Sequence, residues 1–123
     1  MNRTILIRGL ALVAALFVST PLLGIVDPRQ GDPSLSVDLT TTYLTVYQAQ
    51  NVFRKMLDNT GFQSQRYYFD KRLLNYYSGL TTKTATASSL KKYFGADFLQ
   101  VTGVSLSTSI MQTAIYQVVT LGQ

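Results

Sequence analysis

The chain contains no cysteine, no histidine and no tryptophan, and its six acidic residues are all aspartate, so glutamate is missing too. Each absence closes a route to function. Without cysteine there is no disulfide frame, no thiol nucleophile and no thiolate metal site. Without histidine the commonest general base and the commonest metal ligand are gone. A Ser-His-Asp triad, a Cys-His dyad and a zinc site are therefore excluded, and enzyme chemistry would have to run on Asp, Lys or Tyr. The aspartates (Asp27, Asp32, Asp38, Asp58, Asp70 and Asp97) form no D-x-D or D-x-x-D pair. Each reads as a turn or helix-cap residue, because a short carboxylate bonds readily to nearby backbone N–H groups. The eight glycines fall in no GxxxxGK or GxGxxG pattern, which excludes a phosphate loop. The expectation is a non-catalytic protein with no cofactor, no metal and no small-molecule substrate.

What is present is unevenly spread. Residues 9–26, GLALVAALFVSTPLLGIV, carry no charge, and only Ser19 and Thr20 are polar. About 20 apolar residues in a helix cross the ~30 Å hydrocarbon layer of a bilayer. Arg3 and Arg8 precede the run, as in the basic start of an export signal. A small-x-small cleavage site is poorly formed. Val18-Ser19-Thr20 is followed by Pro21, and Leu22-Leu23-Gly24 puts leucine where a small residue is needed. The pattern favours residues 1–26 as an uncleaved signal anchor over a cleaved signal peptide. A mitochondrial-type presequence is the third reading of the basic, acid-free MNRTILIRG. The two arginines favour a cytoplasmic N-terminus, which places the rest of a single-pass membrane protein on the non-cytoplasmic side. If the segment is cleaved, the rest is exported or secreted.

Residues 27–37 form a linker. The stretch DPRQGDPSLS holds two Asp-Pro pairs and a glycine, a stiff, turn-rich combination. Residues 38–123 then read as one small domain, mainly α. Asp38 is a candidate N-cap for a helix over 38–60 that stops at Gly61, although VDLTTTYLTVY is β-branched enough for a strand. Residues 64–78 are the clearest helix, with Phe69, Leu73, Tyr76, Tyr77 and Leu80 on one face. TTKTATA (81–87) is a polar connection. Ser88 or Ser89 caps a short helix, LKKYF, ended by Gly95. Residues 98–121 carry no charge. Their apolar positions fit a helix, alternate over 104–110 as in a strand, and with Ser105, Ser109 and Thr113 admit a second membrane helix.

Two surfaces are candidates for function. The uncharged C-terminal segment, through Met111, Ile115, Val118 and Val119, reads as an interface with a protein partner or with copies of itself, because large apolar patches rarely stay exposed. An amide at Gln112 or Gln117, if buried there, needs a hydrogen-bond partner. The second is a basic-aromatic cluster in which Arg66, Lys71, Arg72, Lys91 and Lys92 alternate with tyrosine and phenylalanine. Such a set contacts polyanions or anionic lipid. The plainer reading packs the rings in the core and leaves the cations in solvent. No recognised nucleic-acid motif is present, so nucleic acid is the less favoured ligand. The sequence thus points first to a structural or accessory subunit of a membrane-associated assembly, such as a secretion, pilus, respiratory or virion complex. The alternative is an exported or anchored module that binds a polyanion or anionic lipid.

Overall fold

The computed structural model describes residues 32–122. The expected anchor at 1–26 and the linker residues 27–31 lie outside the described residues. The described part is mainly α: four helices and one two-stranded ribbon, in the order β1 (Tyr43–Thr45), α1 (Val46–Thr60), α2 (Arg66–Ser78), β2 (Thr84–Thr86), α3 (Ala87–Thr102) and α4 (Thr108–Ile115). Short 3₁₀ turns cover Pro33–Ser36 and Gln63–Gln65, and a π-helical turn over Tyr116–Thr120 continues α4. No helix among the described residues is long and apolar enough to cross a membrane.

The strands pair antiparallel, with Leu44 opposite Ala85 at the centre. Each strand runs straight into a helix capped by its own last threonine. Thr45 and Gln48 form a reciprocal capping box: the Gln48 N–H donates to Thr45 Oγ1 (3.3 Å), and the Thr45 N–H donates to Gln48 Oε1 (3.0 Å). Thr86 Oγ1 accepts from the Ser89 N–H at 3.1 Å. Both devices satisfy amide donors that a helix start would otherwise leave unpaired. The 38–60 segment therefore resolves into a turn, a strand and then a helix, and its two sequence readings are each right for one part. Asp38 caps no helix; its carboxylate accepts from the Thr40 N–H and hydroxyl in a local turn.

Further corrections concern the second half. The helix expected to stop at Gly95 runs through it to Thr102, and its cap is Thr86 rather than Ser88 or Ser89. One glycine weakens a helix by only about 1 kcal/mol, less than Leu90, Phe94 and Phe98 contribute by burial on the same helix. The real stop is Gly103, at φ +75°, where a side chain would be strained. Residues 98–121 are neither a strand nor a membrane span. Thr102 breaks the run by accepting the Val104 N–H at 3.0 Å, and Ser107 caps α4 by accepting the Ile110 N–H at 3.1 Å.

The core is aromatic at its centre. Phe53 of α1 packs on Phe69 of α2 (ring centroids 5.6 Å) and on Phe94 of α3 (5.5 Å), and Phe69 packs on Phe98 (5.8 Å). Leu44, Met56, Leu57, Leu73, Leu90, Met111 and Ile115 close around them. Tyr77 is buried too, and its hydroxyl donates to the Leu44 carbonyl at 2.9 Å, tying α2 to the ribbon.

Candidate binding face around helix α2

Helix α2 presents apolar side chains on two sides. Phe69, Leu73 and Tyr77, four residues apart, fill the inner side. Tyr67, Lys71, Leu74 and Ser78 follow the same helical spacing on the outer side, where Tyr67 is 73 % and Leu74 53 % exposed. Across the helix start, Lys71 Nζ lies 5.5 Å from the centre of the Tyr67 ring, a cation–π distance.

Two grooves flank this outer side. The first is apolar, about 420 Å³, and is lined by Val46, Tyr47, Leu74, Tyr77, Ser78 and Lys83 among others. Tyr47 stands 74 % exposed at its edge. The second, about 240 Å³, lies toward α3 and is lined by Lys71, Arg72, Asn75, Tyr93 and Phe94. Tyr93 is exposed and packs on Tyr76 in a tilted arrangement, ring centroids 4.6 Å apart. The basic-aromatic cluster thus divides by role: Phe69, Tyr77 and Phe94 belong to the core, while Tyr67 and Tyr93 remain outside.

The charges divide as well. Asp70 and Asp97 are not caps; they lie inside α2 and α3 and hold arginines. Arg54 donates to Asp70 Oδ2 through Nη2 (2.7 Å) and Nε (3.1 Å). Arg72 Nε lies 2.7 Å from Asp97 Oδ2, and Tyr68 donates its hydroxyl to Asp97 Oδ1 at 2.8 Å. That hydrogen bond to the carboxylate raises the Tyr68 pKa above its ordinary value. Among the described residues these are the two ion pairs. Arg66, Lys71, Lys83 and Lys92 stand exposed with no acidic partner there, and Lys91 is half-buried. Lys91 lines a separate hollow with Asp38 and Gln112. The sequence grouped Arg66, Lys71, Arg72, Lys91 and Lys92 together. The structure gathers Lys71, Arg72 and Lys83 around the outer side of α2 and turns Lys91 away. Lys83 reaches this side from the turn that leads into β2.

A polar hollow of about 410 Å³ opens at the start of α2, lined by Arg54, Gln63, Ser64, Arg66, Tyr67 and Asp70. Asp70 Oδ1 is buried there with no hydrogen-bond partner.

The α2–β2–α3 connection has the outline of a calcium-binding helix–loop–helix. Such a loop spans roughly 12 residues, takes ligands from positions 1, 3, 5, 7, 9 and 12, and requires glycine at position 6. Counting from Ser78, the sixth position is Lys83, which adopts φ +63°, a backbone region that favours glycine. The ligand positions fall on Ser78, Leu80, Thr82, Thr84, Thr86 and Ser89. No carboxylate is among them, and a hard cation needs several anionic oxygens. Among the described residues no group of three or more Asp, Glu, His or Cys could hold a metal. The loop joins the two helices through the ribbon.

The C-terminal residues lie elsewhere. Met111 (0 % exposed) and Ile115 (2 %) pack into the core of their own domain, Val118 is half-buried against it, and Val119 is exposed. The two amides find partners within the chain. Gln112 donates to the Val37 carbonyl (2.9 Å), and Gln117 accepts from Asn59 (2.9 Å). No protein-family model matches the chain, and no curated protein and no solved structure shows significant similarity to it.

Proposed function

We propose that the chain is a non-catalytic accessory subunit of a membrane-associated assembly. Residues 1–26 supply a single-pass anchor, and the helical domain supplies a binding surface on the non-cytoplasmic side. The observation that carries this reading is the outer side of α2, where Tyr67 and Leu74, with Tyr47 of α1 and Tyr93 of α3 at its flanks, stay exposed beside cations that have no acidic partner among the described residues. A small domain with a well-filled core has no packing reason to keep four large side chains in water on one side, and such patches mark interaction sites. With Met111 and Ile115 occupied by the core, a partner surface falls to α2 and to the exposed chain end at Val119 and Leu121.

The test is purification of the native chain from gently solubilised membranes. The expected result is a particle larger than the monomer that retains residues 1–26. N-terminal sequencing that begins anywhere from residue 19 to 28 would overturn the anchor. A monodisperse monomer with no companion would overturn the assembly.

A further inference from the structure

Resting on that reading, we infer that the outer side of α2 docks on an anionic membrane surface, with Tyr67 and Leu74 entering the headgroup region and Lys71 and Lys83 on lipid phosphates. Three observations point to lipid. The first is exposure: Tyr67 and Leu74 of α2 stand 73 and 53 % exposed, flanked by Tyr47 of α1 at 74 % and Tyr93 of α3 at 60 %. Tyrosine pairs an apolar ring with a polar tip and suits the boundary between hydrocarbon and water. The second is charge. Both aspartates near the surface, Asp70 and Asp97, are engaged by Arg54 and Arg72, so the free charges there are Arg66, Lys71 and Lys83. A lysine stem can lie along apolar surface while its ammonium reaches a phosphate, and juxtamembrane cations are drawn to anionic leaflets. The third is covalent. On the anchor reading, the link from Val26 to Pro33 extends at most about 25 Å, so bilayer is present at high effective concentration whatever the partner protein.

The absence of cysteine makes the test direct, because a single introduced thiol is labelled alone. The full-length chain carrying Leu74→Cys with an environment-sensitive dye is reconstituted into phosphatidylcholine vesicles, with or without phosphatidylglycerol. Ser105→Cys, exposed on the α3–α4 loop, is the control. The expected result is a blue shift at position 74 only with phosphatidylglycerol, reversed by salt and absent at position 105. Adding Arg66→Gln, Lys71→Gln and Lys83→Gln weakens docking by about a hundredfold, each charge contributing about fivefold.

No shift on phosphatidylglycerol vesicles that carry the protein overturns the proposal, as does an equal shift on phosphatidylcholine alone. A shift in detergent that grows with protein concentration overturns it in favour of a second copy. Vesicle flotation separates this from the anchor. If the chain fails to float with phosphatidylcholine, the anchor reading falls, and the dye response to added phosphatidylglycerol vesicles still decides the face.

Discussion

Helix α2 and the C-terminal segment invert what their charges suggest. The segment from Phe98 onward has no charged side chain, yet Phe98, Met111 and Ile115 are buried in their own domain. Helix α2 carries Arg66, Asp70, Lys71 and Arg72, yet exposes Tyr67 and Leu74. The lesson is geometric. An uncharged helix can bury its apolar side chains within its own chain, and α4 packs against α1, α3 and the turn at 33–36. A helix at the margin of the bundle buries one stripe, and apolar residues off that stripe remain in water.

The largest effect that would break this contrast is Ile115→Asp. An unpaired carboxylate at a site 2 % exposed destabilises by about 4 kcal/mol or more. Circular dichroism and chemical denaturation should show an unfolded or nearly unfolded chain. A folded monomer that has merely lost a partner would return Ile115 to an interface.

Next come two neighbours on α2. Leu73→Ala empties a fully buried site and should cost about 2–5 kcal/mol. Leu74→Ser removes a side chain 53 % exposed and should change stability by less than about 0.5 kcal/mol. Denaturant midpoints measure both. Similar losses at the two positions would mean that α2 has no free side.

Tyr77 gives the inner face a pH signature. Burial, with a smaller contribution from the neighbouring Tyr76, pushes its hydroxyl up from 10.0 to about 12. The folded-state pKa lies above the unfolded value, so this contribution is fully present below pH 10 and is lost as the pH rises through about 12. Two pKa units correspond to about 2–3 kcal/mol. Tyr77→Phe removes the hydrogen bond to the Leu44 carbonyl and should cost about 1 kcal/mol at neutral pH. It should also flatten the alkaline fall, so that the two stability curves cross between pH 10 and 12. Parallel curves would place the alkaline sensitivity elsewhere.

A smaller contrast separates the adjacent cations. Arg72→Ala leaves Asp97, with only 16 % of its side chain exposed, dependent on Tyr68 alone, and should cost about 0.5–1 kcal/mol. Lys71→Ala, which loses only the exposed contact with the Tyr67 ring, should cost no more than about 0.5 kcal/mol in the same denaturation experiment. A loss at Lys71 that matched Arg72 would give it a structural role.

Much of this architecture is legible in the sequence, and its gaps have physical causes. Helix α2 was readable because Phe69, Leu73 and Tyr77 recur every four residues. The start of α1 was readable in principle as well: Thr45-x-x-Gln48 is a capping-box pattern, masked by a β-branched run that is a strand for three residues. The length of α3 was not, because Gly95 looks like a stop until burial of Phe94 and Phe98 is counted. The ion pairs Arg54–Asp70 and Arg72–Asp97 join residues on different helices, and no local pattern announces them. The candidate face was half visible. The cluster of rings and cations stood out, but which rings face the core is set by the packing of α1 and α3 against α2. Lys83 joins that face only through the turn into β2.

Lys83 supports the finest test, because it couples the backbone to that face. At φ +63° its Cβ crowds the following carbonyl, which costs a residue other than glycine about 1–2 kcal/mol. Lys83→Gly removes that strain but adds freedom to the unfolded chain, worth about 0.4–1 kcal/mol. The net expectation is a gain of about 0.5 kcal/mol. Lys83→Ala keeps the strain and should be neutral or slightly destabilising. Both variants lose the same charge, so the difference between them in thermal or denaturant midpoint isolates the backbone. Their effect on docking to phosphatidylglycerol vesicles, equal in the two, isolates the charge. If alanine proves as stable as glycine, the loop does not hold its sixth position in the left-handed region, and the likeness to an ion-binding loop fails. If glycine docks as well as lysine while alanine does not, Lys83 acts through the loop's shape, and the cationic contact belongs to Lys71 and Arg66.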